Sequence, residues 1–195
     1  SFSADLTTSE KSQTGYYVIR DASDMMVIDC GPVGPDYQPG HAHADTLSFE
    51  LAVNGRRIIV DSGVYDYEPG RRRTYARSTR AHNTLCIDQQ DQSETWGVFR
   101  VARRAYPIYG RITGDGEVRA TFEGAHDGYA RLSGRLTHSR VIEYVSPGEW
   151  TVRDTVNGEG IHTIESLLHV HPDYRRATVG RSAGLRGERG NAIRV

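Results

Sequence analysis

A large antiparallel β-sandwich is the fold class this sequence predicts, and three observations lead there. Hydrophobic residues recur with period two, whereas helical periodicity is hard to find. Short apolar runs are punctuated by Gly and Pro at the spacing of an all-β domain. Asn54-Gly55 stands between the apolar runs "LSFELAV" and "RRIIVD", the signature of a two-residue hairpin.

Taken in order, "YYVIR" and "MMVID" read as the first strands, and the hairpin follows. "TLCID" is the next strand, beyond an arginine-rich loop. "VRATFE", "YARLSG", "SRVIEYV", the turn "SPGE", "WTVRDTV" and "IHTIESLLHVHP" continue the pattern. The closing "VGRSAGLRGERGNAIRV" is poor in apolar residues and reads as an edge or a shortened strand pair. A chain of 195 residues suits one domain with a sizeable core, and neither an internal repeat nor a domain boundary shows.

The net charge of −1 supplies no global field for nucleic acid. Of the 24 basic residues only Lys11 is lysine and the other 23 are arginine. GC-rich coding accounts for such a bias; guanidinium forks that grip carboxylates or sulfates are the functional alternative. Cys30 and Cys86 lie in apolar, strand-like stretches and are expected as buried free thiols rather than a disulfide. No stretch is long enough to span a membrane as an apolar helix, and no signal peptide is visible. The start "SFSADL" reads as excised from a longer chain, which leaves the compartment open.

Three polar clusters border apolar strands. In "GHAHADTLSFEL" alternate positions place His41, His43 and Asp45 on one face if the segment is extended. Asp61 ends "RRIIVD", and His82-Asn83 precede "TLCID". Pairing around the hairpin brings Asp61 near Phe49 or Ser48, hence toward His43, and His82 joins them if its strand lies alongside. Two histidines, a carboxylate and an open position form a zinc donor set, with Asp45 or Asn83 available to orient the imidazoles. The alternative is a pair of polar residues at a strand start. The second HxH, His169-Val170-His171, is closed by Pro172, shows no distant partner and takes a structural reading. His126, His138 and His162 stand alone and are expected at the surface or hydrogen-bonded. The loop "GRRRTYARSTRAHN" combines five arginines with Tyr75 and His82. Such a loop suits an acidic sugar; a solvated turn is the other reading.

"GHAHADTLSFELAVNGRRIIVDSGVYDY" followed by "RTYARSTRAHNTLCID" closely resembles the C-terminal β-sandwich of the heparinase II/III-like polysaccharide lyases, a group that includes alginate and oligoalginate lyases. The likeness is strongest from Gly40 to Asp88, and "SLLHVHPD" has a familiar look. The resemblance implies that residues 1–195 are the sandwich of a toroid-plus-sandwich enzyme whose N-terminal (α/α) toroid lies outside them. It implies β-elimination on an acidic, uronate-containing polysaccharide, with no membrane or nucleic-acid partner, a periplasmic or secreted location, and a homodimer as one allowed assembly. His41 becomes the catalytic-site histidine; His43, Asp61 and His82 become ligands of a structural zinc, and Asp45 stays outside its coordination sphere. Tyr75 resembles a tyrosine lining the substrate cleft, and Arg77 and Arg80 are expected to bind carboxylates. The chemistry suits these residue types, because a uronate C5 proton leaves only once its carboxylate is neutralised. The family's principal acid/base tyrosine and its asparagine partner belong to the toroid, so the chain alone is expected to bind zinc but turn over little.

Two other functions compete. A cupin-like metal enzyme needs a glutamate three or four residues after the second histidine, but Glu50 comes seven after His43. A non-catalytic carbohydrate-binding module would use Trp96, Tyr106 and Tyr109, for which a core or interface place is the simpler expectation.

Overall fold

The computed structural model describes residues 6–11, 13–179, 182–187 and 192–194, with side chains through Tyr174. The first half contains β1 (Thr7–Lys11), β2 (Tyr16–Asp21), β3 (Asp24–Asp29), β4 (Phe49–Val53), β5 (Arg56–Ile59), the helix α1 (Arg71–Arg77), a tight helical turn at Thr79–Ala81, and β6 (Leu85–Ile87). The second half contains β7 (Thr95–Trp96), β8 (Arg100–Val101), β9 (Pro107–Gly114), β10 (Arg119–His126), β11 (Thr137–Val145), β12 (Glu149–Asn157), β13 (Ile164–Ser166), β14 (Tyr174–Val179), β15 (Ser182–Gly187) and β16 (Ala192–Arg194).

Strands β1 to β5 form an antiparallel meander in chain order, and β9 to β12 form a second. Their inner faces share one core: Tyr17, Ile19, Met26, Ile28 and Phe49 from the first meet Ala120, Phe122, Ile142 and Tyr144 from the second. Strand β11 alternates buried and half-buried residues along its whole length, as one face on a core requires. Each fully buried Ile or Phe contributes about 2 kcal/mol by leaving water. The hairpin at Asn54-Gly55 forms as expected, both residues having positive φ of 51° and 71°.

Gly110 and Gly124 face each other across β9 and β10. A Cβ on Gly110 would lie 2.6 Å from the Tyr17 hydroxyl, and one on Gly124 would lie 3.0 Å from Cys30 Sγ. The pair is a notch into which the first sheet presses its side chains. Cys30 and Cys86 are free and buried, as expected.

The structure corrects several local expectations. "YARLSG" is not a strand but a succession of turns, closed by Ala130 N–H to Asp127 O and Leu132 N–H to Tyr129 O. Its apolar residues plug a second small core of Ile87, Tyr129 and Leu136. The arginine-rich "loop" is helical over α1. Strand β6 pairs with β13 rather than joining the first sheet. Trp96, Tyr106 and Tyr109 are exposed rather than core. The closing segment is a three-stranded meander, β14-β15-β16. No helix among the described residues is long and apolar enough to cross a membrane.

His126 and His138, expected at the surface or hydrogen-bonded, are hydrogen-bonded but not lone: they are register partners on β10 and β11 and are fully buried. Gly128 N–H lies 3.0 Å from His126 Nδ1, so that nitrogen accepts. His126 Nε2–H must then donate to His138 Nδ1 at 3.1 Å, and His138 Nε2–H to Asp154 Oδ1 at 2.8 Å. Both rings are satisfied as neutral imidazoles, and burial pushes both below the ordinary histidine range. Arg140 forks onto the same Asp154 carboxylate through Nε at 2.7 Å and Nη2 at 2.8 Å. Its remaining nitrogen Nη1 donates to Leu47 O and Asn83 O, each at 2.6 Å. Those two carbonyls belong to the segments that carry the polar clusters.

Candidate metal centre and its loop

The stretch from His41 to Ser48 is turn and bend, not strand. The convergence of its polar residues therefore comes from what grips it. Arg77 Nε donates to Ala42 O at 3.1 Å, and Ala44 N–H donates to Arg77 O at 3.0 Å. Gln92 Nε2 donates to Ala44 O and Thr46 O at 3.0 and 3.1 Å. Asn83 N–H reaches Ser48 Oγ at 3.0 Å. The loop is thus laced to α1 and to the turn before β6.

This lacing gathers His43, Asp45 and His82, whose ligand atoms lie within 4.8 Å of one another. Asp61, just past β5, joins through His82: its Oδ2 lies 2.6 Å from His82 Nδ1. Asp45, which the resemblance left outside the coordination sphere, therefore stands beside both imidazoles. His82 is only 1% exposed, and its Nε2 is buried with no hydrogen-bond partner. A buried nitrogen without a partner is costly in an apolar interior, so this one points to a missing ligand. Arg73 Nη1 approaches His43 Nε2 at 3.4 Å and lies over the Tyr67 ring at 4.9 Å from its centroid.

Electrostatics follow from this crowding. Burial, reinforced by His82 and Arg73, pushes His43 down to about 4. Burial would also lower His82, but the Asp61 hydrogen bond and the charges of Asp45 and Asp61 hold it above its ordinary value. Burial would raise Asp61, yet the hydrogen bond and charge of His82 keep it low. Asp45 is raised by burial, and so is Asp29, against which Asp45 adds its own charge. The Asp45 carboxyl and two imidazoles converge at one point, with Asp61 on the far nitrogen of His82, a donor set that a divalent cation would suit because it favours the ionised carboxylate and the neutral rings.

His41 is exposed, its ring edge-on to Tyr67 with centroids 5.4 Å apart and to Phe99 at 6.3 Å. Tyr75 is 48% exposed, with its hydroxyl 3.2 Å from Arg80 O. Arg77 does not sit where a sugar reaches: it is 1% exposed, and its other nitrogens donate to Gly97 O and Arg100 O. The expectation that it binds a carboxylate is corrected, since the side chain is buried and each of its three nitrogens donates to a backbone carbonyl. Arg80 is partly exposed but paired with Glu165. His169, read as having no distant partner, has two: Asn83 and Tyr75. The residues to which the sequence reading gave no role at the site are Arg73, Asp29 and Gln92, none of which carried a signal of its own; His169 was singled out by its HxH spacing but read as structural.

Residues 7–195 match the sequence profile of the family described as heparinase II/III-like, C-terminal. The chain belongs to that family. Among heparinase II/III-like relatives, the heparin-sulfate lyase of Pedobacter heparinus is 34% identical over 88 residues, covering 41% of this chain and 13% of that protein. The heparin-sulfate lyase of Bacteroides stercoris is 29% identical over 97 residues, covering 46% and 14% respectively. The matched segments thus span about a seventh of those relatives' length. A heparan sulfate lyase structure from Pedobacter heparinus superposes with a TM-score of 0.73 at 22% identity over 95% of this chain and 28% of that one. A heparinase III structure gives 0.74 at 21% identity over 96% and 28%. At such identity these structures establish the shared heparinase sandwich fold.

Proposed function

We propose that the protein carrying this domain is a polysaccharide lyase that cleaves an acidic, uronate-containing glycan by β-elimination, and that His41 is the domain's sugar-facing catalytic group. Family membership supports the reaction class, and the names of the relatives favour a heparan-type glycan. The single observation that carries the site is the exposed imidazole of His41 standing two residues from His43, on a loop braced from three sides. In this reading His41 neutralises the uronate carboxylate or accepts the C5 proton. The electron pair left at C5 then forms the C4–C5 double bond as the bond to O4 breaks. The acid that protonates O4 comes from a partner toroid domain, as the family resemblance implies.

His43, Asp45 and His82 would hold a zinc ion of structural type, His82 through its partnerless Nε2, with Asp61 buttressing the opposite nitrogen, Nδ1. Bound there, zinc supplies a cross-link rather than a reacting centre. The chain's own residues do the rest: Arg77 and Gln92 hold the loop, and Asp61 orients His82.

The test is His41→Ala in the protein that carries this domain, followed by the absorbance of the unsaturated uronate with heparan sulfate, alginate and hyaluronan as substrates. A fall of about a hundredfold or more in kcat with unchanged metal content is expected; undiminished turnover would overturn the role of His41. Metal analysis of His43→Ala, Asp45→Asn, Asp61→Asn and His82→Ala is expected to show loss of zinc in each. Retention of full zinc by His82→Ala would overturn the metal centre.

A further inference from the structure

Asn83 has an amide whose orientation the fold determines. Its Nδ2 donates to Phe49 O at 2.8 Å and Val60 O at 3.1 Å, so its Oδ1 is the free acceptor. That oxygen takes the backbone N–H of His169 at 2.6 Å and faces the ring Nδ1 of His169 at 3.2 Å. An amide oxygen only accepts, so Nδ1 of His169 carries a hydrogen. In the neutral imidazole Nε2 is then a bare lone pair, and it lies 3.3 Å from the hydroxyl of Tyr75.

Tyr75 has one hydroxyl hydrogen and two internal acceptors for it, His169 Nε2 and Arg80 O at 3.2 Å. With His169 neutral, the hydrogen goes to the imidazole or to the carbonyl. With His169 protonated, Nε2–H donates to the tyrosine oxygen, which passes its own hydrogen to Arg80 O. In neither state is the hydrogen offered outward. The charged and titratable groups around the ring are Tyr75 from α1, Asp61 past β5 and His82 before β6. Burial, with the charge of His82, lowers His169, in keeping with the neutral form at neutral pH.

We propose that His169 is a positioning residue that sets the character of Tyr75: the hydroxyl of this half-exposed residue faces the glycan as an acceptor only. It recognises a sugar hydroxyl or amide hydrogen and turns away a carboxylate or sulfate at that position. The proposal rests on the lyase reading for its ligand class, but the internal geometry can be tested without it.

Nitrogen-resolved NMR of the 195-residue chain is expected to show His169 at neutral pH with Nδ1 protonated and Nε2 bare, and the Nε2 signal is expected to move in Tyr75→Phe. A His169 with Nε2 protonated and Nδ1 bare would overturn the proposal. The second arm uses the whole protein and heparan oligosaccharides carrying either a free hydroxyl or its sulfate ester at each position in turn. The wild type is expected to prefer the free hydroxyl at one position by about tenfold in kcat/KM, the worth of one hydrogen bond. Tyr75→Phe is expected to abolish that preference, and His169→Phe, which keeps the ring but not its nitrogens, to weaken it. Variants that lower every substrate equally would show a merely structural role and overturn the proposal. Absence of turnover on every oligosaccharide would instead overturn the lyase reading and leave the NMR arm to decide the pair.

Discussion

Arg77 spends its guanidinium on three backbone carbonyls, those of Ala42, Gly97 and Arg100. Its backbone carbonyl receives Ala44 N–H. The residue is a clamp on the loop that bears His41 and His43. Arg77→Ala would empty the space of a buried side chain and strip three part-buried carbonyls of their donor, and is expected to cost about 2 kcal/mol, read as a lower urea midpoint with an unchanged slope. Arg77→Lys cannot span three acceptors from one nitrogen and is expected to recover only part of the loss. An arginine reads from sequence as a surface cation, because its charge opposes burial unless its donors are all met. Arg73, Arg77 and Arg140 were for this reason illegible in advance, whereas spacing drew His41, His43, Asp45, Asp61 and His82 toward one place and left to the family resemblance which of them would be ligands.

The strands β10 and β11 carry the neutral relay from Gly128 through His126 and His138 to Asp154. Both imidazoles titrate below their unfolded value of about 6.5. As pH falls through that value the unfolded chain binds protons that the folded chain refuses, so this element loses stability toward acid. Against the cost of burial, hydrogen bonds from His138 and Arg140 hold Asp154 below the ordinary carboxylate range. Its contribution survives to lower pH and is lost only as pH falls below about 4. His82, held high, acts in the opposite sense: its contribution is present below about 6.5 and fades as pH rises through its folded value. The clean measurement is therefore a difference. His126→Gln is expected to flatten the fall in unfolding free energy between pH 7 and pH 5 relative to wild type. An identical slope in the two proteins would contradict the relay. The strands themselves were visible in the sequence through strict alternation. The register that sets His126 against His138 was not, because alternation names a face and leaves the partner open.

Arg140 joins the two halves of the molecule. It is 1% exposed, forks onto Asp154 of β12 and reaches Leu47 O and Asn83 O, two residues from Asp45 and next to His82 respectively. Removing only the arginine strands a buried carboxylate, and Arg140→Met is expected to cost about 4 kcal/mol. The double variant Arg140→Met with Asp154→Leu is expected to regain a large part of that, measured by thermal and urea unfolding. A full recovery of stability combined with weaker zinc binding would show that the ion pair serves the site more than the fold.

Composition, period-two patterning and the Asn-Gly turn were enough to name an antiparallel sandwich, because burying one face of a strand leaves a local trace in the order of residues. The motif from Gly40 to Asp88 was likewise enough to name the family. Local order could not show that the His41–Ser48 segment is coiled, that arginines hold it, that Asp45 stands with His43 and His82, or that His169 meets Tyr75 94 residues away. Those facts arise from hydrogen bonds between distant segments, whose partners are chosen only once the sheets have packed and every buried donor has had to find an acceptor.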